Sequence, residues 1–217
     1  MDYSKPTLLV ISGPNGAGKS THIQTMLPDS FEGIFSFDRD RTRVAFELEL
    51  QAKEGLITDV IPIATRMMEE KLFEEMKKAI KNKEHFVLET PLSHPDYWKY
   101  IDMFESAGYQ VQLNYLCLDK VGDCIGRVEQ RVLEGGHLVR PDTIKGVFND
   151  NLMHINSQYR SFQRIELYDG MLVPTLLCSL DNNIIEYVSP KALKKTWIKK
   201  GLPLLYTQLK TIKAKKL

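Results

Sequence analysis

The stretch Gly13-Pro14-Asn15-Gly16-Ala17-Gly18-Lys19-Ser20 spaces glycines, a lysine and a hydroxyl as a phosphate-holding loop requires. Glycines let the backbone bend until successive N–H groups face one anion, and a helix opening at the loop adds its partial positive end. Lys19 would then reach the β- and γ-phosphates of ATP and Ser20 would ligate Mg²⁺, with Thr21 next in the same turn. The string GPNGAGKST would also suit an ABC-type ATPase. No LSGGQ-like signature accompanies it, however, and the later apolar strand ends in a lone Glu89 rather than an acidic pair.

Other groups could act on whatever receives the phosphate. Asp38-Arg39-Asp40-Arg41 follows a short apolar run, and Glu89-Thr90 ends another. A carboxylate at either place could serve as general base on an acceptor hydroxyl or orient the metal. The plainer alternatives are that Asp40 caps a helix beginning near Arg43 and that Glu89 forms a structural ion pair. Arg127 and Arg131, four residues apart, share a helix face, where they would stabilise charge on a transferring phosphoryl group or pair with Glu129 and Glu134. Gly135, Gly136 and His137, ahead of Pro141, have the hinge character of a lid over about 127–150.

Positioning these groups falls to an alternation of short apolar runs and longer amphipathic stretches. The pattern predicts strands at 7–12, 34–37, 85–89, 111–118 and 165–168, and helices at 19–27, 43–54, 59–83, about 95–107, 121–133 and after Pro141. Strands near 175–180 and 184–188 would pair as a hairpin across Asp181-Asn182-Asn183. Such alternation demands right-handed crossovers and a mostly parallel α/β sheet covered by helices on both faces.

The chain has 217 residues, 43% hydrophobic and 26% charged, with no repeat or linker, so a single domain over 1–217 is expected. No apolar run is long enough to span a bilayer, and the start lacks a secretory signal pattern, which together predict a cytoplasmic protein. Three cysteines without metal-ligand spacing read as buried thiols. The net charge of +1 hides an asymmetry: residues 184–217 hold nine lysines and one acid, Glu186. Apolar residues recurring through this end, among them Trp197, Ile198, Leu205 and Leu209, predict a basic helix over about 190–214, docked by one face with its lysines in solvent. A nucleic-acid role for that end is the weaker reading.

GPNGAGKS, the strand followed by Asp38 and Asp40, Glu89-Thr90-Pro91-Leu92-Ser93, the RVEQRV segment and Gly-Gly-His before a proline occur in one order. That series resembles the zeta toxin family of phosphotransferases and its relatives labelled predicted ABC-type ATPases. The resemblance implies a P-loop kinase-like three-layer sandwich. It also implies that ATP and Mg²⁺ serve to phosphorylate the 3′-hydroxyl of the amino sugar in a nucleotide sugar such as UDP-N-acetylglucosamine. On it, Lys19 and Ser20 take the loop roles, Asp40 is the base with Asp38 as second choice, Glu89 and Thr90 hold the acceptor, Arg127 and Arg131 lead into the lid, and an antitoxin-like protein is the implied partner. Three positions depart from the family's pattern. Pro91 replaces a threonine, Lys145-Gly146-Val147-Phe148 stands where an Arg-Arg-Tyr triplet is usual, and Asp169-Gly170 replaces an aspartate–asparagine pair. A binding module without transferase activity and a polynucleotide kinase or RNA-binding ATPase are the rival readings.

Overall fold

The computed structural model describes residues 1–53, 59–135 and 138–215. Within them one sheet runs in the order β2-β3-β1-β4-β5-β6-β7. Its strands are β1 Thr7–Ser12, β2 Phe37–Asp38, β3 Phe86–Glu89, β4 Gln110–Cys117, β5 Arg164–Asp169, β6 Thr175–Asp181 and β7 Ile184–Val188. The first five pair in parallel, and β6 and β7 add an antiparallel hairpin. Asn182 and Asn183 turn that hairpin with φ of 48° and 63°, a left-handed conformation that asparagine tolerates better than most residues.

β1 shows why both faces are covered. All six of its residues are buried. Leu8 and Val10 join one apolar cluster, while the alternate residues Leu9 and Ile11 join another. The first cluster takes Leu72 and Met76 of α3 (Val60–Asn82), Phe104 of α4 (Trp98–Ser106), Val128 of α5 (Val121–Leu133) and Ile144 of α6 (Pro141–Gln158). The second takes Ile23, Met26 and Phe31 from the segment after the glycine loop. The chain leaves β1 toward β2 on one side and β4 toward β5 on the other, so a crevice opens at the carboxyl ends of β1 and β4.

Several elements differ from their sequence expectation for local reasons. α1 spans only Lys19–His22 and continues as a 3₁₀ turn, Ile23–Met26. There the Thr25 hydroxyl donates to the His22 carbonyl, at 2.7 Å, and Pro28 lacks the amide that a longer helix would use. β2 is shorter and later than 34–37, because Ile34 is held in a turn by its amide bond to the Phe31 carbonyl. The next helix, α2 (Arg39–Lys53), begins at Arg39 rather than near Arg43. The cap is accordingly Asp38, which accepts from the Arg41 amide at 2.9 Å, and Asp40 sits inside the first turn.

The basic end is not one helix. A 3₁₀ turn, Ala192–Lys194, precedes α7 (Thr196–Gly201) and α8 (Pro203–Lys215). Pro203 opens α8 and could not continue α7. Trp197, Ile198, Leu202, Leu205 and Leu209 are buried, while Lys191, Lys194, Lys199, Lys200 and Lys210 are exposed, as a one-sided docking requires. Cys117, Cys124 and Cys178 are free and buried.

Candidate active site

Three strand ends meet the crevice. β1 runs into the glycine loop, where Gly16 adopts φ of 80° and a Cβ would lie 2.2 Å from the Cys124 carbonyl oxygen. Only glycine allows that backbone to pass so close to α5. The loop folds over Lys19, whose Nζ donates to the carbonyls of Gly13 at 2.9 Å and Pro14 at 3.1 Å. Ser20 Oγ donates to Glu89 Oε1 at 3.0 Å, across from the end of β3.

Glu89 is 8% exposed. Burial raises its carboxyl above the usual range and the nearby Asp38 and Asp40 add to that, while Lys19 and the Ser20 hydroxyl offset part of it. Lys19, Asp38, Asp40, Glu89 and Thr90 line one small cavity together with Gly13 and Asn15. Val147 of α6 also lines it. The sequence candidates at the ends of β1, β2 and β3 therefore come together. A larger cavity of about 600 Å³ opens on the outer side of Asp38 and Glu89, between Phe35, Arg41, Lys71 and Phe86.

Arg39 was not among the residues singled out by sequence, yet it organises this side. It is buried, its Nη1 donates to Thr90 Oγ1 at 3.3 Å, and its Nη2 pairs with Glu69 of α3. The guanidinium packs over the rings of Tyr97, at 4.5 Å, and Tyr100, at 5.2 Å. Glu69 also accepts from the Tyr100 hydroxyl and lies 3.5 Å from Lys99. Burial opposes the Glu69 charge, but the Tyr100 and Arg39 bonds win and hold its carboxyl below the usual range. An arginine between two aspartates was the visible signal. Its partner, thirty residues further on, was not visible.

The opposite side of the loop belongs to α5. Arg127 donates to the carbonyls of Gly170, at 2.8 Å, and Met171, and approaches that of Ala17 at 3.4 Å. Arg131, one turn on, is exposed. Both line a cavity of about 810 Å³ with Gly16, Gly18, Lys19, Ser20, Thr21 and His22 on one wall and Met171, Leu172 and Val173 on another. Three consecutive exposed apolar residues beside a phosphate loop are a second feature that sequence reading passed over. Gly136 and His137 of the expected hinge lie outside the described residues.

These side chains fit a magnesium nucleotide. Ser20 and Glu89 present hard oxygen donors 3.0 Å apart. Among the described residues no group of three or more His, Cys, Asp or Glu could hold a metal by itself, so such an ion would draw its other ligands from phosphate and water.

The zeta toxin family model matches residues 1–170. An uncharacterized protein of Haemophilus influenzae is 25% identical over 137 residues, which is 61% of this chain and 86% of that protein. Among solved structures, the AvrRxo1-ORF1:-ORF2 complex with ATP superposes with a TM-score of 0.66 at 16% identity, over 88% of this chain and 64% of that one. The present chain thus spans just under two thirds of that relative's length. The PezAT chromosomal toxin–antitoxin system of Streptococcus pneumoniae superposes with a TM-score of 0.61 at 20% identity, over 95% and 87%. At these identities the likeness is one of fold, a mostly parallel α/β sheet of P-loop kinase type.

Proposed function

Because the chain belongs to the zeta toxin family, we propose that it is a phosphotransferase moving the γ-phosphoryl of Mg-ATP to a hydroxyl of a small molecule, with a nucleotide sugar such as UDP-N-acetylglucosamine as the first acceptor to test. One observation carries this reading: Lys19 shares a cavity with Asp38, Asp40, Glu89 and Thr90. A phosphate-holding cation thus faces the groups that could prepare an acceptor.

In this reading the amides of Gly13, Asn15, Gly16, Ala17, Gly18, Lys19, Ser20 and Thr21 cradle the phosphates, Pro14 shapes the loop without donating, and the Lys19 ammonium exchanges its carbonyl bonds for phosphate oxygens. Ser20 ligates Mg²⁺, which when bound would neutralise charge across the phosphate oxygens. Asp40 takes the proton of the acceptor hydroxyl, with Asp38 as second choice because its carboxylate already serves the Arg41 amide. Glu89 and Thr90 hold the acceptor, and Arg127 and Arg131 balance the charge of the transferring group.

A second reading, a nucleotide-binding module paired with an antitoxin-like protein, draws on the lid. From α6 it is Val147, rather than an arginine, that lines the small cavity. The relatives that superpose include a toxin–antitoxin system, which supports such a partner in either case. Among the described residues no helix is long and apolar enough to cross a membrane. The exposed lysines of the C-terminal end are what favours nucleic acid among the described residues, and the helices that carry them dock to the core by their apolar faces.

The test is incubation with Mg-ATP and a panel of nucleotide sugars, read by mass spectrometry beside Lys19→Ala. A phosphorylated panel member that the variant fails to make is expected. ATP binding without any product from the panel would favour the binding module.

A further inference from the structure

The C-terminal segment lies beyond the matched residues 1–170, yet it reaches the nucleotide side of the crevice. Lys195 Nζ lies 2.5 Å from Asp169 Oδ2 at the end of β5, with both side chains largely buried. The next residue, Thr196, donates its amide to Asp119 Oδ1 at 2.6 Å, just past the end of β4. Carboxylates at two adjacent strand ends therefore grip two consecutive residues, and the buried Trp197 and Ile198 anchor them from below.

Asp169 does more than pair with Lys195. Its other oxygen accepts from the Met171 amide at 3.3 Å. The next two residues of the loop are pinned as well. The Gly170 amide donates to the Cys117 carbonyl at 3.0 Å, and the carbonyls of Gly170 and Met171 accept from Arg127. A Cβ on Gly170 would lie 2.6 Å from the Ala17 carbonyl oxygen, so the loop rests directly on the phosphate loop. What this bracing presents to the 810 Å³ cavity is an apolar wall, Met171, Leu172 and Val173, the last two 84% and 68% exposed. An exposed apolar wall beside a phosphate cradle suits the flat face of a nucleobase.

We propose that Lys195 is a positioning residue for the nucleotide: by fixing Asp169 it sets the 170–173 loop against which the base packs. The proposal rests on the nucleotide site described above and assigns to the C-terminal segment a part in base binding. Lys195 lines neither cavity beside the glycine loop, so its loss should be felt through the 170–173 loop, by a ligand carrying a base and not by one without it.

Calorimetric titration of the full chain with ATP and, separately, with inorganic tripolyphosphate tests this. Lys195→Met keeps the apolar stem and removes the charge, and Asp169→Asn keeps an acceptor for the Met171 amide. Each should weaken ATP roughly tenfold while leaving tripolyphosphate nearly unchanged, and combining them should cost little more than either alone. Lys195→Arg should restore ATP binding. Equal losses for both ligands, or no loss for either, in variants whose circular dichroism matches wild type, would overturn the proposal. A wild-type protein that binds neither ligand would overturn the phosphate site itself, and this proposal with it.

Discussion

Lys19 is held by two carbonyls of its own loop, five and six residues away, whereas Arg39 is held by Glu69 and by Thr90, 51 residues further along. The proposed nucleotide side of the crevice is made mostly of backbone: glycine conformations, loop amides, and carbonyls that take Arg127. The proposed acceptor side is made of charged and aromatic side chains drawn from α2, α3, the end of β3, the turn before α4 and α4 itself. A backbone-built site is written in contiguous residues, and its hold on phosphate is robust to substitution away from the loop. A side-chain network depends on each member, because removing one leaves a buried partner without its counter-charge.

Substitutions can break that contrast, and the largest effect should come from Lys19→Ala. It should abolish both ATP-dependent thermal stabilisation and phosphoryl transfer; stabilisation by ATP equal to that of wild type would remove the loop from the account. Next, Asp40→Asn should cut transfer on the order of 10² to 10⁴-fold. Near-normal turnover in that variant would hand the role to Asp38.

Arg39→Met probes the other kind of construction. It should destabilise the fold by about 2 to 3 kcal/mol, below the usual cost of breaking a buried pair because Tyr100 and Lys99 still serve Glu69. Denaturant unfolding measures that loss. ATP affinity should stay close to wild type, and an ATP affinity that falls in step with stability would erase the distinction between the two sides.

The smallest effect concerns Glu89. Its carboxyl is raised in the fold, so the stability it contributes is complete below the ordinary carboxylate pKa of about 4.3 and is lost as pH rises through the folded value. Glu89→Gln should therefore melt higher than wild type near neutral pH, by roughly 2 to 4 °C if the difference is about 1 kcal/mol, and the gap should close in acid. Melting curves across pH that run parallel for the two proteins would show the carboxyl to be unstrained.

The same contrast explains what could be read from the sequence. β1, the glycine loop, Lys19 and Ser20 are contiguous, and their period and motif announced them. The parallel sheet followed from the alternation of elements, and Glu89 from its place at the end of an apolar run. Arg39 escaped because its role is defined by Glu69 and Thr90, which only the packing of α2 on α3 brings near. The start of α2 was misplaced for a related reason, since either aspartate could cap a helix and the Arg41 amide selects Asp38. Lys195 looked like one more solvated lysine until β5 placed Asp169 beside it.

In the proposed function one crevice binds ATP on its backbone side and passes phosphate on from its carboxylate side. Measuring ATP affinity and acceptor phosphorylation on the same preparations of wild type and Asp40→Asn, with Mg-ATP and the nucleotide-sugar panel, addresses it directly. ATP affinity should be unchanged, with product formed by wild type and nearly lost in the variant. Equal product from both proteins, or none from wild type while ATP is bound, would contradict it.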